Sequence, residues 1–384
     1  MKLSTKVAYN TMAQVAGKFV AAGLGLAAVA VMTRYLGLTG FGEYTTIITF
    51  LSFFAIIADM GLTLVTVQMI SYPGVNQNKI ISNIFSLRLI SAIVFLGLAP
   101  LIVFLFPYDP IIKIGVVVAA LSFFFIALNQ ILVGVFQKNL RMDKVSIAEV
   151  AGRAVLLIGV IVAVRLNTGL IGIMAATVIA SMMNFLLHYL FSVKFVRIKL
   201  SFDKKIWKEI IRKSWPLALT IALNLVYLKT DTLILSLIKP QADVGIYGAA
   251  YKVIDVVITI PFMFIGLILP IITSEWGKKN IGSFKNIMQK SFDVMVIFAL
   301  PIVIGTQFTA TRVMVSVFGE NFAPSGAALK ILILAAGIIF LGSIFTHAII
   351  AINKQKQIIG AYLFVGITAV AGYLIFIPKY YNDK

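Results

Sequence analysis

The chain is a succession of apolar stretches, most of them about 20 residues long, separated by short polar turns. That spacing restricts the fold more than any other feature. In hydrocarbon every backbone N–H and C=O must find its partner inside the protein, so only helices and closed barrels can cross a bilayer. A helix rises 1.5 Å per residue, and about 20 apolar residues match a core of roughly 30 Å. The sequence therefore predicts an all-α, polytopic membrane protein. Spans are expected near 11–33, 45–69, 84–106, 114–136, 147–165, 170–192, 215–238, 244–272, 291–318, 327–352 and 358–378. Pro261 and Pro270 predict a kink or an early end in the eighth.

The first span is ambiguous with a secretory leader, because residues 19–31 are apolar and Ala28-Val29-Ala30 resembles a cleavage site. However, Asn10, Gln14 and Lys18 share one helix face at i, i+4, i+8, which favours a retained helix.

Sixty percent of the residues are hydrophobic, and 33 Lys and Arg stand against 14 Asp and Glu, a net charge of +19. In a soluble protein that excess would suggest nucleic acid. Here it concentrates in alternate loops, as the positive-inside rule requires. The stretch after 193 carries Lys204, Lys205, Lys208, Arg212 and Lys213, whereas the segments on the other side hold only Arg34, Lys113, Arg165, Lys239, Lys379 and Lys384. A cytoplasmic N-terminus follows, and no nucleic-acid partner is expected. There is no Cys and only two His, His188 and His347, so a metal site is not expected, nor any cofactor.

Residues 193–214 form the longest polar connection, in which Phe195, Ile198, Phe202, Ile206 and Ile210 alternate with Lys and Arg. It reads either as an amphipathic stretch on the inner leaflet or as a plain basic linker. It divides the chain into an N-terminal lobe, 1–192, and a C-terminal lobe, 215–384. A short internal echo supports the division: Gly42 and Tyr44 open the second span, Gly245 and Tyr247 the eighth. Six spans per repeat would leave the two lobes in the same orientation, pseudo-symmetric around a central cavity.

Charges inside the spans are the candidate functional residues, since a charge in hydrocarbon is costly unless it is paired or faces water. Lys18 lies on the polar stripe of Asn10 and Gln14, and reads as a cavity cation or as a snorkelling side chain. Arg34 marks the outer end of that span, as an anchor or a substrate contact. Lys229 and Asp231 point apart on the seventh span, so each needs another partner or a wet cavity. Lys252 and Asp255 have the spacing of an intrahelical pair, and Tyr247, Tyr251 and Asp255 form a stripe. Glu149 and Arg153 have the favourable order for a structural pair. Asp59 has no partner on its own helix, which suggests Lys18 or a coupling ion. Arg88, Asp293, Arg312 and Lys330 lie near helix ends, where interfacial charge needs no special account. Ser181, Asn184 and His188 offer sugar contacts or helix glue.

Several motifs are familiar in combination. Asn10–Gln14–Gly17, Arg34-Tyr35-Leu36-Gly37, Phe41-Gly42 with Tyr44, Asp59-Met60-Gly61-Leu62, the run 227–235, the run 245–253 and Ile377-Pro378-Lys379-Tyr380-Tyr381 occur in that order. Together they resemble the Wzx-type repeat-unit flippases, the polysaccharide-transporter branch of the MOP (MATE-like) superfamily. The resemblance implies a two-lobed transporter in the bacterial cytoplasmic membrane. It would move undecaprenyl-diphosphate-linked oligosaccharides across that membrane by alternating access, for cell-surface polysaccharide. Partners would be the lipid-linked oligosaccharide, membrane lipids, and a polysaccharide polymerase with its chain-length machinery. Members usually have twelve or fourteen helices, so a chain of eleven is expected to be truncated.

The charges suit that cargo. Lys and Arg bind phosphate oxygens, and Tyr, Asn and Gln bind sugar hydroxyls. A cation-coupled multidrug exporter of the same superfamily is the alternative, favoured if Asp59, Asp231 and Asp255 dominate the cavity. A membrane polymerase or ligase is a weaker one, because the outer loops are short. No nucleotide-binding loop or nucleophile elbow is present, so no enzymatic activity is expected.

Overall fold

The computed structural model describes residues 3–70, 76–352 and 354–380, without the side chains of residues 3–11, 64, 266, 267, 270, 355, 356 and 380. Among the described residues there are twelve α-helices, three short 3-10 turns and no strand. Ten stretches are long and apolar enough to cross a membrane. The first of these, Met12–Asp59, has 48 residues and would reach about 72 Å if straight, more than twice the hydrocarbon thickness. It is not straight. Helix α1 (Leu3–Asp59) breaks at Gly37, which sits at φ 65°. Its first limb runs beside α5 (Met142–Arg165) in the same direction, Gly17 packing on Ser146 and Gly25 on Arg153. Its second limb runs along α4 (Pro110–Lys138), Ile47 packing on Gly115. Because α4 and α5 are consecutive and antiparallel, the two limbs oppose each other, and the stretch supplies the first two expected spans.

The second limb is continued by α2 (Leu62–Ile70) after a break at Met60 and Gly61, both at positive φ. Helix α3 (Gln77–Ile102) is capped by Asn76, whose side chain accepts from the Lys79 N–H. Helix α6 (Gly169–Ser192) closes the N-terminal group against α4 and α5. Small residues set those distances, Gly152 against Asn184 and Gly159 against Ala176.

Helix α7 starts at Lys204 and runs to Ile238, eleven residues earlier than the expected span. The reason is local: the Asp203 carboxylate accepts from the N–H groups of Lys205 and Ile206, an N-cap that opens the helix inside the basic connection. Helices α8 (Gln241–Val257) and α9 (Thr259–Gly277) replace one long eighth span. Pro261 has no N–H to give to Val257, and the helix breaks there, as the sequence predicted. Helices α10 (Ile281–Phe318), α11 (Ser325–Ala351) and α12 (Ile359–Tyr380) complete the chain. Large apolar side chains such as Leu101, Phe308, Ile338 and Phe364 lie exposed, as bilayer-facing residues do.

The N-terminal and C-terminal groups meet most tightly where α1 crosses α8. A methyl group added at Gly42 would lie 1.7 Å from the Gln241 carbonyl oxygen; one added at Gly245 would lie 2.1 Å from that of Leu38. Gln241 precedes Gly245 by one turn and Leu38 precedes Gly42 by one turn, so the contact is reciprocal. The echoed glycines face each other across a local two-fold relation. Around them Tyr44 and Phe41 stack, and Phe41 packs on Phe318 and Phe322.

Candidate functional site

Next to the glycine crossing, toward the middle of the spans, lies a small cleft between the two helix groups. The second limb of α1 contributes Tyr44, Thr45, Ile48, Thr49 and Ser52. Helix α7 contributes Lys229 and Thr232, and α8 contributes Gly248, Tyr251, Lys252 and Asp255. The small residue at Gly248 lets α8 approach Thr45, leaving the lysines and hydroxyls just beyond it.

Two cations dominate the cleft. Lys229 Nζ is 3.6 Å from Asp255 Oδ1 and 4.2 Å from the centre of the Tyr251 ring. The aromatic face and the carboxylate both stabilise the ammonium. Tyr251 is fixed in turn, its hydroxyl donating to the Leu228 carbonyl at 2.6 Å. The pairing expected within α8 is therefore corrected: Asp255 turns to Lys229 on α7 rather than to Lys252. Lys252 has no ion-pair partner among the described residues and lines the cleft as an uncompensated cation.

Asp231 lies behind this wall, 8% exposed. Its carboxylate accepts from the Tyr247 hydroxyl, the Thr232 N–H and the Thr232 hydroxyl, with no cation within ion-pair distance among the described residues. Tyr247 thus serves Asp231 rather than the cleft. Tyr373 of α12 donates to the Tyr227 carbonyl at 2.8 Å and holds α12 against α7.

The remaining predicted residues are placed elsewhere. Arg34 bridges the groups at the end of the first limb of α1. Its guanidinium donates to the carbonyls of Ser316 and Val317, each at 2.7 Å, and so caps the C-terminal turn of α10. Lys18 and Gln14 are half-buried on the first limb, without a hydrogen bond or ion pair to a described residue, and outside the cleft. Asn10 lies outside the described side chains. Asp59 pairs with neither Lys18 nor an open site: Arg88 of α3 reaches it at 2.9 Å. The same guanidinium donates to the Ala127 carbonyl and to Gln130, and Arg88 is 1% exposed. Arg88 is thus a buried structural cation and not an interfacial one, a residue that its position near a helix end concealed. Glu149 and Arg153 form no ion pair among the described residues, and the Arg153 guanidinium lies over Gly25 instead. Asn184 bonds Asn129 at 2.8 Å and Ser181 bonds Ser122 at 2.7 Å, so these act as glue within the N-terminal group. No group of three metal-ligating side chains occurs among the described residues.

The residues that sequence reading missed are Thr45, Thr49 and Ser52. Their signal was available: at i, i+4, i+7 they draw a hydroxyl stripe along an otherwise apolar helix.

Residues 7–276 match the model of the family described as "Polysaccharide biosynthesis protein" (Polysacc_synt). The chain belongs to this family. No curated protein matches it. Among solved structures, the lipid II flippase MurJ in an inward closed conformation aligns with 96% of this chain and 82% of its own, at 16% identity and a TM-score of 0.75. An inward-facing multidrug resistance MATE family transporter of the MOP superfamily aligns over 97% and 99%, at 14% identity and a TM-score of 0.67. A MOP superfamily transporter from Pyrococcus furiosus Vc1 (DSM3638), reported with a binding pocket of reverse polarity, aligns over 96% and 93%, at 14% identity and a TM-score of 0.61. These likenesses establish the fold: this member of the polysaccharide biosynthesis family is a multi-pass membrane protein with the MOP transporter architecture. Its fold is the one shared by those MATE family transporters and the MurJ flippase.

Proposed function

We propose that the protein flips undecaprenyl-diphosphate-linked oligosaccharide units across the bacterial cytoplasmic membrane, its N-terminus in the cytoplasm, for cell-surface polysaccharide. The observation that carries the reading is the cleft between the helix groups, where Lys229 and the unpaired Lys252 stand among the hydroxyls of Thr45, Thr49, Ser52 and Tyr251. A diphosphate needs fixed cations when it leaves water, and a glycan needs hydroxyl partners. The lipid tail stays in the bilayer while the headgroup takes this path. Outer closure by the glycine crossing and Arg34 leaves the cleft to be reached from the inner side, and the two helix groups rock to reverse that access.

A cationic drug is the cargo of the rival reading, and the cleft disfavours it: two lysines face one carboxylate, and Asp59 and Asp231 are both committed elsewhere. With no nucleotide site in the sequence, the drive is an ion gradient, the membrane potential or the substrate gradient.

The test is complementation of a strain lacking its own repeat-unit flippase. The wild-type chain restores surface polysaccharide, Lys252→Ala and Lys229→Ala lose most of it, and Lys229→Arg retains part. Full restoration by the double alanine variant, at equal membrane abundance, would refute a cationic path through this cleft.

A further inference from the structure

The basic connection is not loose. From Arg197 to Asp203 it is an extended strap laid along α3, and every second N–H is held by a side chain. Arg197 donates to Asn78 Oδ1, Lys199 to Ser82 Oγ, Ser201 to Ser86 Oγ and Asp203 to Asn83 Oδ1, at 2.8–3.1 Å. Asn83 returns a bond to Ser201 Oγ, and Lys79 pairs with Asp203 at 2.8 Å. Between these bonds Val196 is buried and Ile198 packs on the cluster of Ile81 and Phe85. Arg197 and Lys199 are exposed, and so are Leu200 (61%) and Phe202 (59%).

Helix α7 continues the same surface. Lys204, Lys205, Lys208 and Arg212 fall within an arc of about 100°. The opposite arc, Ile206, Ile210 and Ser214, is the side buried against the N-terminal group. Both carboxylates nearby are already matched, Asp203 with Lys79 and Glu209 with Lys213. Six basic side chains therefore stand outward, flanked by Leu200, Phe202 and Trp215, the last 55% exposed.

The depth of this surface is set by α3. The strap reaches Ser86 at its farthest along α3, and one to two turns further along that helix Ile90 and Ile93 are exposed as bilayer-facing residues. Lysines and arginines with interleaved aromatic and aliphatic side chains, at the edge of the hydrocarbon, match anionic headgroups above and acyl chains beside them.

We infer that the strap and the first turns of α7 form a built docking surface for anionic phospholipids of the adjoining leaflet, distinct from the cleft between the helix groups. Its cations serve lipid headgroups and not the transported cargo. It differs from a general positive-inside bias in being a rigid, matched surface.

Trp215 is the built-in probe, since Trp207 and Trp276 are the other two tryptophans. The full chain carrying Trp207→Phe and Trp276→Phe is reconstituted in phosphatidylcholine vesicles with a minor fraction of brominated phosphatidylglycerol, or of brominated phosphatidylcholine. Quenching by the anionic lipid should reflect about fivefold enrichment over its bulk fraction, the factor one basic residue contributes at a headgroup. It should fall toward the zwitterionic value in high salt. The variant Lys204→Gln, Lys205→Gln, Lys208→Gln, Arg212→Gln should lose the preference. A matched set at the α9–α10 turn and in the first turns of α10, Lys278→Gln, Lys279→Gln, Lys285→Gln and Lys290→Gln, should keep it. Equal quenching by the two brominated lipids would overturn the inference without any charge variant. So would equal loss in both sets, which marks bulk charge alone, or retention of the preference by the α7 set.

Discussion

At the scale of single residues, the charged side chains divide by whether their partner lies on their own helix. Asp59 and Arg88 meet across two helices and are joined there by Gln130 and the Ala127 carbonyl. Breaking such a pair strands a charge, at a cost of about 3–5 kcal/mol, whereas replacing both partners with apolar residues is close to neutral. Arg88→Ala should therefore lower the unfolding temperature in detergent sharply, and Arg88→Met combined with Asp59→Leu should recover most of the loss. A thermal shift series on the three proteins reads both results. The sequence exposed Asp59 as a charge in need of a partner but not which one, because nothing in the spacing of 59 and 88 reports a contact between spans. The same limit hid the Lys229–Asp255 pair behind the nearer Lys252, since within-helix spacing is the only neighbourhood a sequence displays.

At the scale of elements, apolar length was enough to find the spans, and Pro261 marked the division of α8 from α9. The strap had no such signal. Its bonds run from backbone N–H groups to side chains on another helix, which leaves no periodicity to read, and the early start of α7 rests on one carboxylate. Asp203 carries two contacts at once, the cap and the Lys79 pair, and the Lys79 ammonium beside it holds its pKa below the ordinary carboxylate value. A lowered folded-state pKa means that its contribution is complete above the ordinary carboxylate pKa, about 3.9, and is lost as pH falls through the lowered value. Strap protection should thus be constant from neutral pH down to mildly acidic conditions. Asp203→Ala should expose the strap at every pH, with tryptic cleavage after Arg197 and Lys199 becoming several-fold faster. Unchanged cleavage in that variant would mean that the neutral bonds to Ser82, Ser86 and Asn83 hold the strap alone.

At the scale of the whole molecule, the echo of Gly42 and Tyr44 in Gly245 and Tyr247 was a short motif, and the structure gives half of it a physical meaning. The glycines meet, whereas the tyrosines part: Tyr44 stacks on Phe41, while Tyr247 bonds Asp231. The chain contains no cysteine, so introduced thiols report without background. A Cβ built at Gly248 lies 3.1 Å from that of Thr45, near the separation of about 3.8 Å that a disulfide spans. Thr45→Cys with Gly248→Cys should cross-link under mild oxidation and stop transport, and reduction should restore it. Transport that continues in the fully cross-linked protein would mean that α1 and α8 need not separate.

The reciprocal glycines also bear on speed. Helices locked by interdigitating side chains must lift ridges out of grooves before they slide. At this crossing each glycine meets backbone atoms of the other helix, Gly42 those of Gln241 and Gly245, and Gly245 those of Leu38 and Gly42. Two backbones that meet without interlocked side chains can part and rejoin with nothing to lift clear, and bulk added at either glycine would obstruct both helices at once.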